Sequence, residues 1–218
     1  ALTFFLTVIP IGCINLADIS PITAKQPPHP FAPTKLEAIE TAITQARKEN
    51  RLPGGVIWIE HNRVHFTRPY GESSIKPVHS LTRLDTIYDA ASLTKVVATT
   101  PAVMLLQQRR KLNINDPVKK YIKEFTGEGR DSITIGHLLT HTSGLRPDIS
   151  LIGWNGHTEC IAKCVAEVPR AKPNEKFIYS DINFQLLDEI IRRITNQRLD
   201  VFCEKEIFGP LKMRDTGY

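Results

Sequence analysis

Apolar residues recur along this chain at two periods, and the changes between them divide it into elements. From Thr34, apolar positions at Leu36, Ile39, Ile43 and Ala46 repeat at the helical period, and Thr34 with Glu37 has the form of a capping box. That helix should stop near Asn50, where Pro53-Gly54-Gly55 turns the chain. The segment VIWIEHNRVHF (56–66) holds two short β-branched and aromatic runs around the polar stretch 60–63, which predicts a β-hairpin. Polar loop is expected from there to Thr86. A long helix is predicted over about 92–110, kinked or interrupted at Pro101, which brings no N–H to the helical ladder.

Asp116-Pro117 has the form of a further helix start, and Thr134 opens another over IGHLLTHTS, closed by Gly144. The stretch 146–176 reads as loop with one helix at about 161–168. Ser180 or Asp181 then caps INFQLLDEIIRRI, whose Phe184, Leu187, Ile191 and Ile194 form one apolar stripe, and a last short helix is expected over about 201–207. Helices dominate and only two strands appear, a poor sheet on its own. The hairpin therefore either packs on helices unaided or finds its sheet partners beyond residue 218, and the second is expected.

Composition bounds the class more than the function. The 218 residues are 41% hydrophobic and 23% charged, an ordinary globular balance for one sizeable domain or a little more. The formal net charge of +5 is dispersed over doublets such as Arg109-Arg110, Lys119-Lys120 and Arg192-Arg193, where helix surfaces or C-termini are expected. No basic patch interleaves aromatics, so nucleic acid is not an expected partner.

The start of the chain reads differently. Its apolar run 1–14 turns polar by residue 17, is broken by Pro10 and Gly12, and is too short to span a membrane. It has the character of a partial signal peptide (1–17), followed by a Pro-rich linker (18–33), which implies export to the periplasm or medium. Cys13 is a candidate lipid acceptor and the one expected route to a membrane, although Pro10 stands where such signals usually carry Leu. Cys160, Cys164 and Cys203 complete no zinc pattern and read as buried thiols.

The chemistry centres on YDAASLTKVVATT (88–100). A serine hydroxyl is a weak nucleophile and needs an activating group. Lys95, three residues after Ser92, shares its helical face, and the apolar Ala90, Ala91 and Val96 should desolvate the ammonium and lower its pKa. A helix N-terminus favours negative charge developing at Ser92. Alone, however, Ser-x-x-Lys reads most simply as a capping serine and a surface lysine. KFIYSDINF adds Tyr179 in an extended stretch before a helix, where its phenol beside a cationic lysine could ionise and relay a proton; its alternative is a packed aromatic.

Four ordered segments carry a resemblance: SLTK at 92–95, LLTHTSGL at 138–145, YSD at 179–181 and FGPLKMRDTGY at 208–218. Together they resemble the serine β-lactamase-like superfamily, in its class C β-lactamase, penicillin-binding and esterase branch, from about Thr34 to Tyr218. The resemblance implies a β-lactamase/transpeptidase-like fold of α/β plus all-α domains, with the site between them, here truncated before the C-terminal sheet strands. It implies that 34–218 is the N-terminal portion of a serine hydrolase domain acting on an acyl substrate, small molecule or peptide, without cofactor or metal. Ser92 would be the nucleophile, Lys95 the group that orients and deprotonates it, Tyr179 the proton relay, and Asp181 a supporting or substrate-binding residue.

Two departures qualify that picture. Asp181 stands where the class C pattern carries Asn; a carboxylate can bond Lys95 but donates no amide N–H to a substrate carbonyl. This weakens a β-lactamase assignment relative to esterase or peptidase, and admits a non-catalytic binding module as the alternative. The superfamily's Lys/His-Thr/Ser-Gly motif is missing after Asp181, so the isolated 218 residues are expected to be inactive. His141-Thr142-Ser143-Gly144 mimics that motif, but it precedes Tyr179 and reads as a structural cap. His137 and His141 are spaced like zinc ligands yet lack the Glu of His-Glu-x-x-His, and Asp215-Thr216-Gly217 follows a helix rather than sitting in a paired β-loop.

Overall fold

The computed structural model describes residues 30–150 and 152–218. The signal-like start, Cys13 and all but the end of the linker lie outside the described residues. Two compact units divide at Thr86/Ile87.

In the first unit, α1 (Pro33–Lys48) starts one residue earlier than the capping box suggested. Pro33, with its fixed φ and no N–H to satisfy, takes the first helical position, and Ala32 becomes an N-cap without a side-chain bond. Thr34 is thus inside the first turn and cannot cap. The stripe of Leu36, Ile39, Ile43 and Ala46 is present and half-buried. Strands β1 (Gly54–His61) and β2 (Val64–Ser74) form the expected hairpin, in register from Gly54 opposite Gly71 to His61 opposite Val64. The two-residue turn Asn62-Arg63 has φ of 51° and 63°, the mirror-image turn that matches strand twist. The region read as loop after the hairpin is in part strand: β2 continues to Ser74, and β3 (Ser80–Leu81) pairs with it across a bulge. Arg68 on β2 pairs with Glu40 on α1, and the Arg47 Nε–H donates to the Pro53 carbonyl at 3.3 Å.

The second unit is helical and holds the buried apolar core of the described residues. After Ser92 the chain makes a π-turn (Lys95–Thr99) and then α2 (Thr100–Gln108). This is the form taken by the expected disruption at Pro101. Thr100 donates its N–H five residues back to Lys95, so Pro101 falls in the first turn of a new α-helix, where no N–H is required. The same device recurs before Pro210, where Gly209 donates to the Glu204 carbonyl at 2.9 Å.

The expected helix at Asp116-Pro117 is not formed beyond one 3-10 turn, Val118–Lys120. Pro117 is extended and bridges Thr134, while the Asp116 carboxylate accepts from Asn113 N–H, Lys120 and the Tyr121 hydroxyl. A carboxylate committed to a loop in this way cannot cap. Val118, Ile122 and Phe125 are buried beneath it.

α3 (Ile135–Leu139) begins at Thr134 as expected, but His137 takes the place of the usual Glu in its capping box. Thr134 Oγ1 accepts from the His137 N–H, and His137 Nδ1 accepts from the Thr134 N–H. The helix ends at Leu139, well before Gly144, and the first left-handed residue after it is His141, with φ of 57°.

α4 (Gly156–Ala166) starts earlier than the pattern suggested, and α5 (Asp181–Thr195) runs to a left-handed Asn196. α6 (Leu199–Cys203) follows. α5 is the hub, packed on α2, α3, α4 and α6. Its buried face is Ile182, Leu186, Leu187, Ile190 and Ile191, while Phe184 and Ile194 are only half-buried. A helix surrounded by four others buries more than one stripe, and the single-stripe reading therefore put its centre one position off. Cys160, Cys164 and Cys203 are free, buried thiols, as expected.

Gly144 has φ of +81°, and a Cβ there would sit 2.0 Å from the Ala171 carbonyl oxygen. Gly144→Ala is therefore expected to destabilise this unit by about 2–4 kcal/mol, combining left-handed strain with a backbone clash. Urea denaturation checks it; an unchanged midpoint would contradict this account of the loop.

Candidate active site

Ser92, Lys95, Tyr179 and Asp181 all belong to the second unit, and the fold brings them together. Ser92 sits in a 3-10 turn (Ala91–Leu93) at the head of the π-turn. Ala91, just before it, is left-handed at φ of 43°, a conformation that costs an L-residue about 1–2 kcal/mol. It is held there by Asp89, whose Oδ1 accepts the Ala91 N–H at 2.7 Å. The tight turn leaves Ser92 exposed while the following helix carries Lys95 inward.

Lys95 is the centre of the constellation. Its ammonium donates to Ser92 Oγ at 3.1 Å and lies 2.6 Å from Asp181 Oδ1. Among the described residues no other donor satisfies that carboxylate oxygen, so the ion pair is its compensation. Asp181 is the first residue of α5, where an acid also suits the helix dipole. The ammonium stands 5.0 Å from the centroid of the Tyr179 ring and 5.7 Å from that of Phe184, close enough for cation–π attraction.

The electrostatics reverse the sequence expectation for Lys95. Burial does penalise its charge, but hydrogen bonds to Asp181 and Tyr179 and their negative charge outweigh that penalty, and its pKa is raised. Only Lys95 13% exposure was foreseeable from the apolar neighbours; the carboxylate that reverses the shift comes from a helix 86 positions away in sequence (181 − 95). The Tyr179 phenol moves the other way. Hydrogen bonding to the Lys95 ammonium first, and to Ser92 second, pulls its pKa below the usual tyrosine value. The pair is thus biased toward ammonium and phenolate.

A set of residues around Tyr179 was not anticipated as a unit. The chain after α3 turns at His141, and its ring lies against the Tyr179 ring with centroids 4.4 Å apart. Ser143 donates to Asn183 Oδ1 at 2.7 Å, and Ser180 Oγ donates to the Arg146 carbonyl at 2.6 Å. Thr142 and Gly144 carbonyls accept from Asn174 and Arg170 N–H groups. The signal in the sequence was the run His-Thr-Ser-Gly itself: polar residues in a segment that the structure buries.

His137 and His141 are committed to protein partners, His137 to Thr134 and Asn174 and His141 to Ser180. A cleft of about 690 Å³ is lined by Lys95, Thr99, Asp181, Phe184, Asp188 and Tyr218 among others, but not by Ser92 or Tyr179.

The fold is that of a β-lactamase/transpeptidase-like protein. The Beta-lactamase family model matches residues 39–218, and the chain belongs to that family. Among curated proteins it is 28% identical to the Escherichia coli O157:H7 protein named "Putative D-alanyl-D-alanine carboxypeptidase", over 98% of this chain and 54% of that one. It is 31% identical to protein flp of Staphylococcus aureus (strain COL), over 84% of this chain and 38% of the other. Among solved structures, a D-stereospecific amidohydrolase from Streptomyces superposes with a TM-score of 0.67 at 25% identity, covering 82% of this chain and 55% of its own. A class C β-lactamase shares the fold at a TM-score of 0.71 and 23% identity, over 82% of this chain and 49% of its own. The chain spans about half the length of the curated relatives it matches.

Proposed function

We propose that the protein of which this chain forms part hydrolyses an ester or amide by forming an acyl-enzyme at Ser92. The observation that carries the reading is the Lys95 ammonium, within 3.1 Å of Ser92 Oγ and 2.6 Å of Asp181, beside a phenol that it acidifies. Tyr179 as phenolate takes the Ser92 proton while Oγ bonds to the carbonyl carbon. Lys95 stays charged, stabilises the phenolate and orients Oγ; its raised pKa supports giving the base role to Tyr179 rather than to the lysine. The Ser92 N–H, at the start of its turn, supplies one donor to the oxyanion. Tyr179 then returns the proton to the leaving alkoxide or amine, and later takes one from the water that releases the acyl group.

Asp181 narrows the substrate. Paired to Lys95, it offers no amide N–H, which disfavours a β-lactamase and favours an esterase or a peptidase of D-amino acids; relatives are named as a D-stereospecific amidohydrolase and a putative D-alanyl-D-alanine carboxypeptidase. An exported protein, as the apolar start implies, would meet such peptides in the cell wall.

Burst kinetics of the full-length gene product with a p-nitrophenyl ester test the reading. The expected result is one equivalent of nitrophenol released quickly, then slower turnover, with both phases lost in Ser92→Ala. A stoichiometric burst without turnover would instead favour the non-catalytic binding module that Asp181 admits.

A further inference from the structure

His141 and its surroundings are unexplained by a simple turn-forming role. It is 91% buried, carries a left-handed backbone and uses three different parts of itself on three consecutive residues. Its carbonyl accepts the Ile178 N–H at 2.9 Å. Its ring backs Tyr179. Its Nδ1 accepts the Ser180 N–H at 3.0 Å, with the Asn183 amide nitrogen 3.4 Å from the same atom. A backbone N–H can only donate, so Nδ1 must carry a lone pair and the ring proton of the neutral imidazole sits on Nε2. Asn183 is oriented to donate in turn, because its Oδ1 already receives the Ser143 hydroxyl. Phe177 and Phe184 close the ring's remaining sides at 5.8 and 5.2 Å between centroids.

We propose that His141 is a positioning residue for Tyr179: with Nδ1 unprotonated it clamps the backbone on both sides of that residue and backs its ring, and protonation of Nδ1 releases the clamp. A proton there would set N–H against N–H at Ser180 and leave a buried donor unsatisfied. The charged groups that face His141 are Lys95, from the π-turn after Ser92, and Asp181, from the start of α5; the titratable phenol of Tyr179 lies on its ring. His137, one helical turn back, is turned to Thr134 and Asn174. Burial first, and the Lys95 charge second, lower the His141 pKa, with Asp181 partly opposing them. The clamp is accordingly closed above the ordinary histidine range and opens only in acid.

The consequence for catalysis rests on the proposed function; the clamp itself rests on geometry, and two readouts keep them separate. The variants suit the left-handed backbone: His141→Gly removes ring and acceptor without strain, and His141→Asn keeps an acceptor at the Nδ1 position but cannot titrate. In the full-length gene product, Tyr179 ionisation is read by ultraviolet titration as the difference from Tyr179→Phe. His141→Gly should move that ionisation up toward the ordinary tyrosine value, and His141→Asn should largely restore it. Ionisation at the wild-type pH in a folded His141→Gly protein overturns the clamp, whether or not the enzyme is active.

Fluorophosphonate labelling of Ser92 is the second readout. It should slow by about ten- to a hundredfold in His141→Gly, the range of one lost buried hydrogen bond. His141→Asn should label near the wild-type rate and fall less steeply in acid than the wild type, because only Tyr179 then titrates while in the wild type the clamp opens as well. If the wild type is not labelled at all, the acyl-enzyme reading fails while the titration still decides the clamp. If His141→Gly does not fold, near-ultraviolet circular dichroism of His141→Asn decides instead. Its tyrosine signal should hold as the pH falls below the ordinary histidine range while the wild-type signal changes, and the same response in both overturns the proposal.

Discussion

Lys95→Met should slow acylation of Ser92 by about a thousandfold or more, within the range seen when a member of an activated-serine constellation is removed. The substitution keeps the length and most of the volume of the side chain while deleting the charge that both Ser92 and Tyr179 depend on. Two separate losses combine: Oγ is no longer oriented, and the phenol loses the hydrogen bond that is the largest cause of its lowered pKa. The pH dependence separates them. In the wild type the reactive ammonium–phenolate pair exists between a Tyr179 ionisation held below the usual tyrosine range and a Lys95 ionisation held above the usual lysine range. Acylation should therefore rise with pH through the first and fall only beyond the second. In Lys95→Met the rise should move to higher pH and the fall disappear. A variant that keeps the wild-type rate and pH profile would mean that the lysine is no more than the counter-ion of Asp181. The Asp181 oxygen that faces the ammonium is buried, so Lys95→Met should also lose some stability, while the carboxylate as a whole is 45% exposed and keeps its contact with solvent; a melting curve separates that loss from the loss of acylation.

Tyr179→Phe should cost about a hundred- to ten-thousandfold in kcat with little change in KM, since a proton relay acts in the transition state and not in ground-state binding. The ring stacked on His141 is retained, so the thermal midpoint should stay within about 2 °C of wild type if the hydroxyl is a solvent-facing group worth little to stability. Steady-state kinetics beside a melting curve check both halves. A large loss of stability with proportionate loss of activity would mark Tyr179 as a packing residue, the alternative the sequence left open.

The contrast between what was legible and what was not follows the range of each interaction. Local signals succeeded: the hairpin, the Thr134 start and the α5 helix are set by alternation, a capping residue and one strong periodicity over neighbouring positions. The grouping of Ser92, Lys95, Tyr179 and Asp181 was also readable, because four short segments in fixed order carry the resemblance that implies it. What was missed depends on distant partners. The Asp116-Pro117 helix failed because the acid is bound by Lys120, Tyr121 and Asn113 in a loop. The Lys95 pKa shifts up because a carboxylate arrives from another helix, which no inspection of Ala90, Ala91 and Val96 could show. The π-turn before Pro101 answers a local signal with an outcome that only the continued packing of Ala98, Ala102 and Val103 explains. His-Thr-Ser-Gly reads from the sequence as a cap because its partners, at 170–183, lie 26 to 42 positions on, a separation that hydrophobic periodicity does not reach.

The central claim is that Ser92 becomes acylated, and intact-protein mass spectrometry tests it most directly. The full-length gene product would be incubated with a fluorophosphonate and, separately, with a penicillin, beside a Ser92→Ala control. The account predicts one fluorophosphonate adduct per chain, mapped by peptide digestion to Ser92 and absent from the control, with penicillin labelling weaker because Asp181 offers no amide donor. An unlabelled protein, or an adduct that persists in Ser92→Ala, would contradict it.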